Sequence, residues 1–384
     1  MAGDSALAAV SMGGQMVVEG WLVYTMTGSS LGVGTLYAIH FLPLAPVGLA
    51  AGTLSDRIDR RVLLRWIEAL FALDFGIFAL LVASGAIALW HIYALTFVSG
   101  CAFAMYFPVR AAYIHDLVGN QHVVSGLGLL HVAARSGELL GALAAGFVIE
   151  RAGAAGACLL LSGSNCTAFL VLGGLRTPGL SRGMRTSSLR ETLRESATEL
   201  RTNRTLLALI LVAVSVEIFA FSYWTALPEV ATQRLGMDAE GLSYLNAARA
   251  LGGLAAGIAL AWTIDLRRGR AYLCVIFGFG VSLIFFASAP TLLACALAVL
   301  CLGALESGVD VLNQGMMQAC VPDALRGRAM GAWSLAIGVA PLGNLQMGTL
   351  AAHFGAGTAL QIHGAALLGV AALAALWIPR LRRL

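Results

Sequence analysis

Apolar residues run for about twenty positions at a time along most of this chain, interrupted by short clusters of charge, glycine and proline. Twenty residues of α-helix rise far enough to cross a hydrocarbon layer of roughly 30 Å. In lipid the backbone must satisfy its own hydrogen bonds, so such runs read as spanning helices. The pattern predicts twelve of them. Six begin near Leu7, Leu31, Val62, Trp90, Ser125 and Ala154, and six more near Thr205, Gly241, Ala271, Thr291, Ala329 and Gly357. Between the sets lies a polar stretch, which divides the chain into a first bundle (1–175), a linker (176–204) and a second bundle (205–384). The linker carries Pro178, Gly179 and Gly183, then Arg190/Arg194 and Glu191/Glu195 at i,i+4 spacing, the signature of a short solvated helix.

Composition agrees. Of 384 residues 59% are hydrophobic and 11% charged, against roughly 45–50% and 25% in soluble domains. No lysine occurs, and the net charge of +4 comes from scattered arginines, which argues against nucleic-acid binding. The seven cysteines sit in apolar runs without metal-ligand spacing, so neither disulfides nor a metal site nor another cofactor is expected. The opening MAGDSALAAV lacks the basic start and cleavage pattern of a removable signal and reads as part of a retained helix.

Arginines also orient the chain, because basic residues near span ends stay on the cytoplasmic side. Arg57, Arg60, Arg61 and Arg65 follow span two, the 176–204 segment follows span six, Arg267, Arg268 and Arg270 follow span eight, Arg326 and Arg328 follow span ten, and Arg380, Arg382 and Arg383 close the chain. The opposite loops offer only Arg151 and Arg234. Both termini are therefore expected in the cytoplasm of a bacterial-type inner membrane, as an even span count requires.

The chain resembles itself. The stretch from Leu31 aligns without a gap with that from Glu240, pairing Gly32 with Gly241, Leu36 with Leu245, Gly48 with Gly257, Asp56 with Asp265 and His40 with Arg249. The stretch from Gly141 aligns with that from Gly343, pairing Gly146 with Gly348 and Gly153 with Gly355. Span two then corresponds to span eight and span five to span eleven, as in transporters built from two parallel six-helix repeats.

After span two the sequence reads Gly52-Thr53-Leu54-Ser55-Asp56-Arg57-Ile58-Asp59-Arg60-Arg61. It resembles the Gly-x-x-x-Asp-Arg-x-Gly-Arg-Arg signature of the major facilitator superfamily, with Asp59 in place of the usual glycine. WLVYTMTGSS from Trp21, FLPL from Phe41, FPVRAAYIHDLV from Phe107 and VPDALRGRAMG from Val321 resemble one branch, the exporters of siderophores and macrolides. The resemblance implies an all-α membrane protein of twelve transmembrane helices, in two six-helix halves related by a pseudo-two-fold axis. In that fold helices one, four, seven and ten line a central cavity. Carried onto this chain, Gly52, Asp56, Arg57, Arg60, Arg61 and Asp265 form a cytoplasmic gate whose charge pairs make and break between states. Span five departs from the exporter pattern: Gly137-x-x-x-Gly141 precedes Ala142 with no proline, leaving small residues for close helix contact. Pro341 and Gly343 supply such a break in span eleven.

An ionisable residue inside a membrane is costly and marks a functional hypothesis. Glu306 and Asp310 lie four apart on one face of span ten, with Asn313 and Gln314 beyond. Two carboxylates so placed repel one another, and one can take up and release a proton near neutral pH, as coupling to a proton gradient demands. The competing reading is neutralisation by an arginine such as Arg249. Glu19, on one face with Gln15, and Glu217 in span seven are candidates for substrate contact or proton carriage. Arg135 and Glu138, three apart in span five, either satisfy one another or join the cavity. Asp74 reads as a local helix contact, and His40 and His131 as packing residues. Aromatics such as Trp21, Tyr24, Tyr106, Phe219, Tyr223 and Trp224 suit either an adaptable pocket or interface anchoring.

The sequence holds no His-Glu-x-x-His, Gly-x-Ser-x-Gly or P-loop pattern, which argues against an enzyme or an ATP-driven pump. The expected activity is export of a small amphipathic organic molecule, drug or siderophore, coupled to protons, by a monomer in the lipid bilayer. Alternatives are uptake of a nutrient or lipid on the same fold and a receptor that transports nothing.

Overall fold

A computed structural model describes residues 2–55, 58–175, 179, 203–261, 268–321, 333 and 335–377. No strand occurs among them. The helices are α1 (Ala2–Thr27), α2 (Ser30–Phe41), α3 (Leu44–Ser55), α4 (Arg60–Ala83), α5 (Leu89–Gly174), α6 (Arg204–Phe219), α7 (Leu227–Glu229), α8 (Ala239–Ala261), α9 (Arg268–Ser288), α10 (Leu292–Ala319) and α11 (Ala340–Trp377). Among the described residues nine helical stretches are long and apolar enough to cross a membrane. The nine do not include α8, whose 23 residues contain Glu240, Asn246 and Arg249.

α5 folds back on itself. Ser99, Glu138 and Leu161 would lie up to roughly 90 Å apart on a straight helix at 1.5 Å per residue, yet all three meet α1 between Gly13 and Gln15. Arg110 meets Asp4 where Ser99 meets Gln15, so this leg runs antiparallel to α1. Gly137 against Ala6 and Gly141 against Val10 run parallel to it, and Leu161 against Gly14 with Ser164 against Leu7 antiparallel again. One reversal therefore falls between Arg110 and Gly137 and the other at Gly153, whose φ of 70° favours glycine. α11 breaks in the same way at Gly355 (φ 80°, ψ 154°). Gly153 and Gly355 are partners in the internal repeat.

Other repeat partners make matching contacts. A Cβ on Gly141 would stand 2.0 Å from the Val10 carbonyl oxygen of α1, and one on Gly343 would stand 2.7 Å from Ile218 of α6. Gly146 abuts Ser243 of α8, and Gly348 abuts Ser30 of α2. Gly100 lies under the His40 carbonyl and Gly303 under that of Arg249, with 2.3 and 2.0 Å to a notional Cβ. Without hydrophobic drive between helices in lipid, such backbone approach is what holds them together. Outward-facing Leu73, Leu80, Leu170, Phe147 and Phe277 are exposed, the surface a bilayer solvates.

Two local features depart from the sequence reading. Span two is two helices, since Pro43 has no N–H to continue α2 beyond Phe41. Span seven continues past α6 as a 3₁₀ turn (Phe221–Ala226), the short α7 and a π turn (Val230–Arg234). Pro341 sits in the first turn of α11, where a missing N–H costs nothing, directly after a turn at 338–339 that separates it from helical residues 335–337. The proposed linker helix lies outside the described residues.

Candidate functional site

A cavity of about 180 Å³ lies in the middle of the bundle. Met12, Gln15, Met16 and Glu19 of α1 and Tyr37, His40 and Phe41 of α2 form one side. Phe103, Phe107, Arg135 and Glu138 of α5 and Trp224 form another, and Arg249 of α8 and Glu306 of α10 close it. The aromatic part is a connected wall. His40 meets Phe41 edge-on at 5.0 Å and Phe103 at 5.0 Å, Phe103 meets Phe107 at 5.1 Å, and Phe41 meets Trp224 at 5.9 Å.

The charged part is a closed ring of four. Arg249 Nη1 donates to Glu306 Oε1 at 3.1 Å, and Arg135 Nη1 to Glu138 Oε2 at 3.0 Å. The cross-pairs Arg135 to Glu306 and Arg249 to Glu138 each stand at 3.6 Å. Every carboxylate thus lies between two guanidiniums, and two positive and two negative charges balance. Arg249 and Glu306 are each 5% exposed. At that burial the mutual attraction must offset the desolvation of four ions, which only such geometry achieves. Arg249 also packs over Trp224, 5.1 Å from its ring, and Nη2 lies 3.7 Å from Met16 Sδ.

Glycine makes the ring sterically possible. A Cβ on Gly253 of α8 would stand 3.4 Å from Arg135 Nε and 3.0 Å from Ser307 Oγ, and one on Gly252 would stand 1.9 Å from the Leu300 carbonyl oxygen. α8 and α10 therefore meet backbone to backbone, and Arg135 reaches between them from α5. The ring ties the first part of the chain to the second.

Glu19 belongs to a separate polar group on the same cavity. Gln15 Nε2 donates to its Oε1 at 3.0 Å and also to Ser99 Oγ at 3.0 Å, while Thr96 Oγ1 donates to Oε2 at 3.2 Å. Asp310 stands one turn beyond Glu306 and is half-buried, outside the ring. Asn313 donates to the Tyr272 hydroxyl of α9 at 2.6 Å. Glu217 is buried on α6, where Gly343 packs against its carbonyl oxygen, and is not part of the cavity lining. His131 lies against Gly257 of α8, beside the ring.

In the gate motif, Asp56, Arg57 and Asp265 lie outside the described residues, and Gly52 falls within α3. Arg60 Nη1 meets both oxygens of Asp116 at 2.8 Å. Asp59 caps α4 through the Arg61 amide at 2.8 Å and accepts from the Gly179 amide at 3.1 Å, while Arg61 donates to the Leu175 carbonyl. The departure from glycine at 59 is thus an N-cap that anchors the start of the linker.

Four charged residues escaped the sequence reading. Arg110 Nη2 meets Asp4 at 2.8 Å and Ser5, 4.9 Å above the Tyr106 ring. Glu68 is fully buried on α4. Glu229 joins helix ends far along the chain. A charge inside an apolar run is the signal that would have found each of them. Asp74, read as a local helix contact, is 2% exposed, and neither carboxyl oxygen has a hydrogen-bond partner among the described residues. Among the described residues no group of three or more histidine, cysteine or acidic side chains is placed to hold a metal ion.

Solved structures share this architecture. A POT family transporter crystallised with 5-aminolevulinic acid superposes with a TM-score of 0.81 at 12% identity, over 99% of this chain and 95% of the other. The nucleoside transporter NupG gives 0.78 at 12% identity, over 97% of each chain. A bacterial homologue of the human lysosomal transporter Spinster, inward-facing and unoccupied, gives 0.71 at 13% identity, over 99% and 94%. At such identities the likeness speaks for the fold alone. No curated protein matches by sequence. These neighbours are membrane transporters, not enzymes. Residues 5–383 match the family described as Transmembrane secretion effector, and the chain belongs to that family of major facilitator transporters.

Proposed function

We propose that this protein is a proton-coupled exporter of a small amphipathic organic molecule, working by alternating access between two six-helix halves. The observation that carries the reading is the buried ion ring: four balanced charges from α5, α8 and α10 line the cavity and join the two halves. A cycling proton on Glu306 or Glu138 would unbalance the ring and loosen that joint, which is the link a coupled transporter needs between protonation and rocking. The aromatic wall beside it suits a ring-bearing apolar body, drug or siderophore. The family's description as a secretion effector supports export over uptake.

Twelve crossings are part of this proposal. The breaks at Gly153 and Gly355, the turn in α5 before Gly137 and the membrane-length α8 support that count. The recurring contacts of Gly100 with Gly303, Gly141 with Gly343 and Gly146 with Gly348 support two halves, 1–175 and 205–384, about a pseudo-two-fold axis. With the arginines inside, both termini face the cytoplasm of a bacterial inner membrane, and the Asp56/Arg57 motif and Asp265 guard that side of a monomer.

The test is reconstitution into vesicles with an imposed pH gradient and a panel of fluorescent amphiphiles and one catechol chelator. The expected result is gradient-driven movement of at least one probe that falls tenfold or more in a Glu306→Gln/Glu138→Gln variant. Undiminished gradient-driven movement in that variant would sink the coupling scheme. Loading vesicles of defined orientation separates export from uptake.

A further inference from the structure

Glu229 ends α7, within the irregular stretch where span seven winds first tightly, as a 3₁₀ turn, and then loosely, as a π turn. Short π segments inside helices are concentrated at functional sites. Glu229 is 9% exposed and binds in two directions. Its Oε1 accepts the Ala356 amide at 2.7 Å, and its Oε2 accepts the Ser30 hydroxyl. Ala356 opens the last helical leg of α11 directly after the break at Gly355, and Ser30 opens α2. One carboxylate therefore sits at the N-termini of two helices, where orphan amides and the helix dipole both favour negative charge. One of those helices belongs to residues 1–175 and the other to residues 205–384. All of this lies at the arginine-poor end of the bundle, opposite the Asp59–Arg61 loop.

The two contacts have different consequences. The Ala356 amide and Glu229 both belong to the later half, as do Arg234 and the Phe286 carbonyl it meets at 2.9 Å. Those bonds fix the irregular stretch to its own half. Among the described residues, Ser30 is the one hydrogen-bond partner of the Glu229 carboxylate that belongs to the other half. Their bond crosses where the halves meet through bare backbone, since Gly34 faces the Asn344 carbonyl and Gly348 faces that of Ser30.

We propose that Glu229 is a latch: the Ser30–Glu229 bond holds the arginine-poor end of the transporter closed, and its loss shifts the molecule towards opening at that end and closing at the other. Glu229 is a positioning residue in this scheme and lies apart from the cavity wall. The latch goes beyond the transport reading but takes its meaning from the rocking of two halves.

Hydrogen exchange of the full chain in lipid nanodiscs tests it without any solute. Ser30→Ala removes the crossing bond and keeps the cap on Ala356. Exchange is expected to rise about tenfold or more in peptides covering residues 28–36 and 344–350, as loss of a charge-assisted bond implies. It is expected to fall around His131 and Gly257, the contact of α5 with α8 towards the other end. Glu229→Ala should do the same and also expose the Ala356 amide. Faster exchange confined to residues 355–359 in Glu229→Ala, with Ser30→Ala unchanged, would overturn the latch and leave a simple helix cap. If Glu229→Ala does not fold, Ser30→Ala still decides. Missing solute flux in vesicles would instead count against the exporter reading, and the exchange result would stand on its own.

Discussion

His40 and Arg249 occupy equivalent places in the two parts of the chain, yet their side chains live in different chemistry. Each sets its carbonyl oxygen against a glycine two spans later, Gly100 for His40 and Gly303 for Arg249. The backbones match. The His40 ring then enters an aromatic wall with Phe41 and Phe103, whereas the Arg249 guanidinium enters a ring of ions with Glu306, Glu138 and Arg135. Repetition is preserved where helices touch through bare backbone, because nothing larger than glycine fits there. It is lost at the side chains that face the cavity, where position 40 meets aromatic surface and position 249 meets charge.

Arg249→Ala should test that asymmetry most severely. It leaves Glu306 and Glu138 buried beside Arg135 alone, and breaking a buried ion group from one side costs about 3–5 kcal/mol. Thermal unfolding in detergent is the measurement, and a loss no larger than that of His40→Ala would erase the distinction between the two positions. Next come Gly100→Ala and Gly303→Ala. Both push a methyl into a facing carbonyl, so each should cost about 1–3 kcal/mol. Similar losses support a shared scaffold, and tolerance of one with rejection of the other would break the equivalence. His40→Ala should cost only about 0.5–1.5 kcal/mol, the worth of its ring contacts. Smallest is Gly163→Ala, where a Cβ meets nothing within 4 Å. It should stabilise the helix by up to about 1 kcal/mol and so calibrate the other glycine variants.

Helix starts were legible because apolar run length and arginine clusters are local properties. Starts expected near Val62, Trp90 and Thr205 fall at Arg60, Leu89 and Arg204. The break at Gly153 was legible too, through its alignment with Gly355. What could not be read was which charges meet. Arg135 and Glu138, three apart in one span, pair on spacing alone, and Arg249 is a candidate partner for Glu306. That all four close into one ring depends on Gly252, Gly253 and Gly303 letting three helices converge, a packing fact with no local signature. Glu229 was missed for a related reason: its partners begin helices 199 and 127 residues away. The tight and loose turns after Phe219 answer to that same tertiary demand, since Pro228 is their only strong local cue.

The size of the central chamber has its own consequence. At about 180 Å³ it is smaller than the roughly 300–1,000 Å³ clefts that enclose drug-sized ligands. A guest of that size enters only as the walls separate. Its measured affinity then combines contact energy with the work of parting the aromatic and ionic sides, and is lowered by the fraction of molecules already ajar. Substitutions that ease separation will look like gains in binding even when they touch no part of the guest.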